Sequence, residues 1–252
     1  MTAKPPLKYS SLKTRSSQKE LMDDLSISFE EFKQTLSQIE LINHLTCAYK
    51  PTIEVIEKIY FKYHQNKDRP LKILDIGSGY GDYLRVIYKW SQKHQIAIEL
   101  TGLDLNPWSE KAASLLNPSL DHINFITKNI FEFTPAKKYD ICISSMFTHH
   151  LSDHDIVQLL HWMTVNSNYA WFINDLHRHP VPFHFIKYFT RFFGFNKLVK
   201  HDAPLSVARA FKYQDWRDLL KKAELYLNKS KISWHPSFRY CILYSQELAD
   251  HS

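Results

Sequence analysis

The first part of the chain carries apolar residues at helical spacing. Positions 29, 32, 36, 39 and 42 are all Phe, Leu or Ile, and this recurrence every three or four residues predicts an amphipathic helix. A second helix is predicted from Pro51, a residue suited to a first helical turn, as far as Tyr63. Residues 1–20 are polar and basic and predict a loose arm. We therefore expect residues 1–66 to form an arm and a helical cap in front of a separate domain.

From residue 67 onward, short apolar runs alternate with helical patterns. Five of these runs predict strands: LKILDI, IAIELTGLDL, INFIT, YDICISS and YAWFINDL. The segments between them predict helices, one of which begins at a capping box formed by Ser152 and Asp155. Alternating strands and helices are typical of a parallel, doubly wound sheet. After a further helix at 213–224, two runs at 225–234 and 238–245 predict a terminal hairpin.

The expected fold class is thus α/β, with a Rossmann-like, seven-stranded, mostly parallel sheet and a terminal antiparallel hairpin, in one domain over residues 67–252. We expect an aromatic-rich insertion at about 180–212 within this domain. The run from Phe183 to Phe195 is more apolar than one buried helix face requires. With the N-terminal helices, the insertion is expected to shield the sheet edge, where it would wall a substrate pocket or contact a membrane surface.

Composition restricts the class of protein. Hydrophobic residues make up 44% and charged residues 23% of the chain, as in ordinary soluble domains. The formal charge of +6 is scattered along the sequence, so no nucleic-acid partner is expected. Three widely spaced cysteines predict neither disulfides nor a zinc site and favour a cytoplasmic location. Neither a signal peptide nor a run of 18 apolar residues is present, so no transmembrane segment is predicted.

Three of the five glycines lie in one loop behind the first predicted strand, in the sequence LDIGSGYGD. Ligands of doubly wound sheets bind at the carboxyl ends of the strands, where Gly77, Gly79 and Gly81 permit a tight turn and a close backbone approach. The spacing is not that of a dinucleotide-binding loop, because position 82 is Asp, and the lysine of a P-loop is absent. Asp75 places a carboxylate where a pyrophosphate would lie. The loop therefore favours a cationic ligand.

This loop resembles the first motif of class I S-adenosylmethionine (SAM)-dependent methyltransferases, and GLDLNP, FITKNIFEF and YDICISSMFTHH follow in the order expected for that family. The resemblance covers residues 70–176 and implies the fold, the SAM cofactor and methyltransferase activity. It implies that Asp104 bonds both ribose hydroxyls and that Asn129 holds the adenine amino group, although the family commonly has Asp there. The cofactor-binding residues that it implies are Asp75, Gly77, Gly79, Gly81, Asp104, Leu105, Asn129, Ile130 and Ser144.

Methyl transfer to a hydroxyl group requires alignment of the acceptor and removal of its proton. His149, His150 and His177 follow predicted strand ends and are candidate general bases, because histidine titrates near neutral pH. A capping or packing role stays open for the first two. Asp175 is expected to orient an imidazole, and Arg178 to bind a charge on the acceptor. No metal is expected, since these side chains lack a strict metal-ligand spacing.

Two further segments narrow the resemblance. INDLHRHP and LVKHDAPLSVARAF resemble bacterial small-molecule methyltransferases of polyketide-type clusters and, more distantly, enzymes of ubiquinone synthesis. Within the second segment, His201, Asp202 and Arg209 are expected to be solvated at the surface. The predicted function is SAM-dependent methyl transfer to a small hydrophobic acceptor, phenolic or polyketide-like, at oxygen. A protein or RNA methyltransferase and a non-catalytic SAM-binding scaffold are the alternatives, and the sequence leaves the oligomeric state open.

Overall fold

A computed structural model describes residues 12–24, 26–116, 123–225 and 230–245 of the 252-residue chain. Seven strands in these ranges form one sheet in the order β3-β2-β1-β4-β5-β7-β6. The strands are β1 (Leu71–Ile76), β2 (Ile98–Asp104), β3 (Ile123–Thr127), β4 (Tyr139–Ser145), β5 (Ser167–Leu176), β6 (Ser230–His235) and β7 (Arg239–Ser245). The first five pair in parallel, and β7 runs antiparallel to both β5 and β6. The predicted parallel sheet and terminal hairpin are confirmed.

Helices cover both faces of this sheet. They are α1 (Phe29–Leu45), α2 (Lys50–Ile59), α3 (Asp82–His94), α4 (Trp108–Leu116), α5 (Asp153–Asn166), α6 (Pro180–Phe192), α7 (Lys197–Arg209) and α8 (Tyr213–Lys222). The Ser152 side chain accepts a hydrogen bond from the Asp155 N–H, so the predicted start of α5 is confirmed. In the described part of the chain, none of the helices combines the length and apolar character that a membrane crossing requires.

Neighbouring residues of β5 show how the core is divided. Trp171 and Phe172 are both buried but belong to different apolar clusters. Successive side chains of a strand point to opposite faces of the sheet, so one ring packs with α5 and α8 and the other with α2 and α3. Apolar layers on both faces leave the carboxyl ends of the parallel strands as the accessible edge.

The insertion at 180–212 is helical throughout most of its length. Its aromatic-rich start is α6, as expected for part of it, but α7 was not predicted, because Pro204 lies in its interior and its apolar positions follow no single stripe. α6 and α7 pack against each other beside the carboxyl ends of the strands. The division of the chain at residue 67 stays a prediction.

The N-terminal segment 12–24 packs against the domain, so the prediction of a loose arm over residues 1–20 is wrong for residues 12–20. Leu12 and Glu20 are buried. The N–H groups of Leu21 and Met22 donate to the Asp202 carboxylate at 2.8 and 3.0 Å. The polar groups of this segment can be buried because they form hydrogen bonds with α7. Local sequence patterns do not reveal such distant partners. Residues 1–11 lie outside the described residues.

Candidate functional site

A cavity of about 1040 Å³ lies at the carboxyl ends of the parallel strands. Its floor is the loop after β1, and its walls come from α1, α6 and α7 and from the turn after β4. Most of the lining is aliphatic or aromatic, as in pockets for small organic molecules. Segment 12–24 contributes Glu20, Met22 and Asp23 to one end. The opposite end contains the glycine loop and the end of β2.

The glycine loop has the tight turn that its sequence predicted. Gly77, Gly79 and Gly81 all have positive φ angles, of +73°, +52° and +80°. A Cβ atom on Gly77 would lie 2.3 Å from the Phe147 ring, so a side chain is excluded there. Gly77 and Gly79 line the cavity, whereas Gly81 serves as the N-cap of α3 and is not among the described lining residues. The loop is therefore shaped for a close backbone approach by a ligand.

Three carboxylates surround this loop: that of Asp75 is buried, and those of Asp82 and Asp104 are half-buried. Burial raises the pKa of all three, and the pKa of Asp75 is raised well above its ordinary value, with the neighbouring carboxylates adding to the effect. Within the described structure, Oδ1 of Asp75 has no hydrogen-bond partner. Such a group requires either a proton or a cationic partner. The site therefore fits the sulfonium and ammonium groups of SAM, the cofactor that the resemblance implies.

Asp104 ends β2 and holds the glycine loop. Its Oδ2 accepts from the Gly79 N–H at 2.8 Å, and its Oδ1 accepts from the Asn106 N–H at 2.8 Å. Each carboxylate oxygen has a second lone pair for a ligand hydroxyl. Leu105 beside it is exposed and lines the cavity.

The other residues expected at the cofactor fall into two groups. Asn129 and Ile130 line the cavity, and the Asn129 Oδ1 accepts from the Phe131 N–H at 3.1 Å. Ser144 does not appear among the described lining residues, because its hydroxyl turns inward and donates to the Ile76 carbonyl at 3.0 Å. Strand alternation places Ser145 at the cavity instead.

His149 and Asp175 form a buried pair at the end of the cavity that Glu20 lines. The His149 Nδ1 lies 2.7 Å from the Asp175 Oδ1, and the other carboxylate oxygen accepts from the Thr148 hydroxyl at 2.5 Å and from the His149 N–H at 3.0 Å. Burial alone would raise the pKa of Asp175, but the His149 imidazole and these hydrogen bonds hold it well below its ordinary value. An ionised Asp175 only accepts, so Nδ1 carries the proton and Nε2 is the basic nitrogen.

Glu20 faces both histidines and was not predicted. Its carboxylate oxygens lie 3.7 Å from the His149 Nε2 and 3.8 Å from the His150 Nε2. Asp23, one turn further, lies 2.7 Å from the His150 Nδ1. Burial raises the pKa of Glu20 to about 7, because the side chain is only 5% exposed. No local pattern marks Glu20, which belongs to a polar segment far from His149 in the sequence.

Arg209 and Asp202 are buried beside this cluster, so the prediction that they are solvated is wrong. The Arg209 guanidinium donates to the His149 carbonyl at 3.0 Å and to the His150 carbonyl at 2.8 Å, and it also contacts the Asp23 carboxylate at 3.1 Å. α7 turns these charged side chains toward the cavity, where backbone and side-chain partners satisfy them. His201 is half-buried and lies 2.7 Å from Asp202.

The structure does not bring His177 and Arg178 to the cavity, and neither is among its described lining residues. Beyond the end of β5 the chain turns toward Phe211 and Phe238. His177 forms an isolated β-bridge with Phe211, donates its N–H to the Phe238 carbonyl and stacks on the Phe238 ring. Burial lowers the pKa of His177 to about 4. Arg178 donates to the Ala210 carbonyl at 2.6 Å and contacts Asp215 at 2.9 Å, so its charge is already engaged.

Glu20, His149 and His150 also have metal-ligand spacing, with one donor atom from each within 4.8 Å of the others. Among the described residues, these three are the group of His, Cys, Asp or Glu side chains with donor atoms that close together. The Arg209 Nε lies 3.8 Å from the Glu20 Oε1, and the Ser206 hydroxyl donates to the same oxygen at 2.9 Å. A guanidinium at this distance repels a cation and compensates part of the carboxylate charge.

The comparisons with known proteins concern the domain and the fold. Residues 73–165 match a family model described as a methyltransferase domain. No curated protein matches the chain in sequence. Among solved structures, the plantazolicin methyltransferase BpumL in complex with S-adenosylhomocysteine (SAH) is similar at a TM-score of 0.60 and 18% identity, over 86% of this chain and 97% of that one.

Two further structures share the fold. Magnesium protoporphyrin IX methyltransferase from Synechocystis PCC 6803, with bound SAH, has a TM-score of 0.50 and 12% identity, over 79% of this chain and 83% of that one. A candidate O-methyltransferase from Nostoc punctiforme PCC 73102 has a TM-score of 0.54 and 15% identity, over 83% of this chain and 59% of that one.

Proposed function

We propose that this chain is a SAM-dependent methyltransferase that methylates a hydroxyl oxygen of a small hydrophobic acceptor, in keeping with the match of residues 73–165 to a methyltransferase-domain model. One observation carries the proposal: a buried His149–Asp175 pair adjoins a cavity whose other end holds the glycine loop and Asp104. Residues of both ends line the same cavity, and we call the end at His149 the acceptor end. Cofactor and acceptor would therefore share one space.

Bound SAM would supply an electrophilic methyl group on a sulfonium. Asp104 would accept hydrogen bonds from its ribose hydroxyls, and Asn129 and Ile130 would flank its adenine. The unpartnered Asp75 carboxylate would compensate positive charge on its methionine part. These assignments rest on the residues that line the cavity.

His149 would act as the general base. Its Nε2 accepts the proton of the acceptor hydroxyl, and Asp175 stabilises the resulting imidazolium through Nδ1. Glu20 and Arg209 enclose the imidazole and exclude water from it, which strengthens the electrostatic interaction with Asp175. His150, oriented by Asp23, is the second candidate base.

The cavity wall favours an apolar acceptor. Phe32, Leu36 and Ile39 of α1 and Phe185 and Ile186 of α6 all line the cavity. Aromatic and aliphatic walls select ligands mainly by apolar contact. This supports a phenolic or polyketide-like molecule, which would carry an acidic hydroxyl on an apolar frame.

The alternatives are less well supported. A protein or RNA substrate would need an open groove, whereas α1 and segment 12–24 add side chains to the wall of this cavity. A metal-assisted reaction is disfavoured by the guanidinium of Arg209 beside Glu20. A scaffold without turnover would not need the buried His149–Asp175 pair. A cytoplasmic location remains part of the proposal, in keeping with three free cysteines.

The test combines binding and turnover. Calorimetric titration with SAH is expected to show binding by the wild type and by Asp218→Asn, an exposed control on α8, and its loss in Asp104→Ala. Methyl transfer from labelled SAM to a panel of phenols is then expected for the wild type. SAH binding without turnover on any phenol would support the scaffold, and unaltered binding by Asp104→Ala would remove the cofactor assignment.

A further inference from the structure

α6 presents an apolar face to solvent as well as to the protein interior. Phe183, Ile186 and Thr190 are buried on its inner side. A second stripe, which we call the outer stripe, is exposed at spacings of four, three and four residues and consists of Val181, Phe185, Tyr188 and Phe192. These spacings place its members on one face of the helix. Phe192 is 85% exposed, and Phe193 extends the patch. A contiguous exposed patch of this kind marks an interaction surface.

The residues that flank the outer stripe along the chain carry charge of one sign. Residues 176–201 contain five Lys or Arg residues and neither Asp nor Glu. Arg178 is buried against Asp215, but Arg191 and Lys197 are exposed and Lys187 and Lys200 are half-buried near the patch. The stripe is thus an aromatic surface with a positively charged border.

The outer stripe also leads into the cavity. Val181 and Phe185 at its first end line the cavity with Pro182 and Ile186. Tyr188 and Phe192 at the other end are not among the described lining residues and project from the molecule. A continuous apolar path therefore connects the exposed face to the acceptor end.

We propose that the outer stripe binds the surface of an anionic lipid bilayer, with α6 lying in the headgroup plane. Aromatic side chains would enter the boundary between headgroups and acyl chains, and the basic border would attract anionic lipids. A second copy of the chain fits less well, because a two-fold interface at this patch would place its basic borders opposite each other. Passage of the acceptor from lipid into the cavity rests on the proposed function, but lipid binding does not.

Co-sedimentation with vesicles tests this proposal. The wild type is expected to bind phosphatidylcholine vesicles containing about 30% phosphatidylglycerol, and to bind pure phosphatidylcholine much more weakly. Tyr188→Ser/Phe192→Ser is expected to lower the partition coefficient at least roughly tenfold, because the two rings that would enter the bilayer are lost. Leu115→Ser/Val165→Ser removes two exposed apolar side chains from α4 and α5 and is the matched control.

Two further variants test the contribution of the basic residues. Arg191→Gln/Lys197→Gln is expected to weaken binding to the anionic vesicles roughly tenfold or more, whereas Lys221→Gln/Lys222→Gln on α8 removes the same charge and leaves binding unchanged. SAH titration of each variant shows whether the fold and the cofactor site are intact. All four variants are expected to bind SAH as the wild type does.

Three results would overturn the proposal. The wild type could stay in the supernatant with both vesicle types, or the stripe variant could bind as well as its control. Gel filtration could show a wild-type dimer that Tyr188→Ser/Phe192→Ser converts to a monomer, which would assign the patch to self-association. Any of these with intact SAH binding and turnover would leave the proposed function standing.

Discussion

The His149 Nδ1 lies 2.7 Å from the Asp175 Oδ1, and both side chains are almost wholly buried. Asp175 also accepts from the Thr148 hydroxyl and from the His149 N–H. The Asp175 carboxylate therefore holds the imidazole ring at its Nδ1, and it also holds the His149 backbone and the neighbouring Thr148 side chain. This rigidity is what a general base with one reactive nitrogen requires.

His149→Ala is expected to lower kcat by about 10²- to 10⁴-fold, the range typical of a lost general base, with SAH affinity unchanged. Asp175→Asn is expected to lower kcat as well, because an amide no longer stabilises the imidazolium. Single-turnover kinetics and SAH calorimetry measure the two properties separately.

His161→Ala, an exposed histidine on α5, serves as the control and should keep full activity. If His149→Ala retained more than about a tenth of the wild-type kcat, the base would have to be His150 or Glu20 instead.

Gly77 and Gly194 allow backbone strain to be separated from steric exclusion. Both have positive φ angles, of +73° and +68°, but a Cβ on Gly77 meets the Phe147 ring at 2.3 Å while one on Gly194 meets nothing within 4 Å. Each Ala substitution carries a left-handed backbone penalty of about 1–2 kcal/mol. Gly77→Ala should lower the free energy of unfolding, measured with denaturant, by roughly 2 kcal/mol more than Gly194→Ala does. It should also weaken SAH binding. Equal costs for the two variants would show that Phe147 moves aside freely.

The raised pKa of Glu20 predicts a pH-dependent stability. Burial raises it to about 7 from an ordinary value near 4.5, so the folded state holds this proton more tightly than the unfolded state. Glu20 therefore lowers the free energy of unfolding as pH rises between these values, and the loss is complete above the folded pKa. Glu20→Gln keeps the neutral form at every pH.

Relative to the wild type, Glu20→Gln should gain roughly 2 kcal/mol in unfolding free energy between about pH 5 and about pH 8. Urea unfolding at the two pH values measures this, with Glu110→Gln on the exposed side of α4 as the control. A difference between variant and wild type that does not change with pH would mean that Glu20 is ionised throughout.

The sheet was predictable because its strands are buried on both faces. β1 and β4 occupy the predicted LKILDI and YDICISS, since apolar runs between polar turns can satisfy their backbone only in a central strand. The glycine loop was predictable because three closely spaced glycines favour positive φ angles, which Gly77, Gly79 and Gly81 all adopt.

The acceptor end was only half predictable. His149 follows the end of β4 and Asp175 lies in the last two residues of β5, but Glu20, Asp202 and Arg209 are charged residues in segments with no apolar periodicity. Their burial depends on one another across the fold, and local patterns do not encode such partners. His177 shows the opposite error: a polar cluster after β5 suggested a site, but the chain turns there toward β7.

The bonds between segment 12–24 and α7 also set an order of events during synthesis. Met22 and its partner Asp202 are separated by 180 positions. At translation rates of about 5–20 residues per second, the early segment waits roughly 10–40 s before that partner has been made. Leu12 and the polar groups around Glu20 must stay exposed to water for that time. Closure of the acceptor end is consequently a late folding step, completed only after the second half of the domain has emerged.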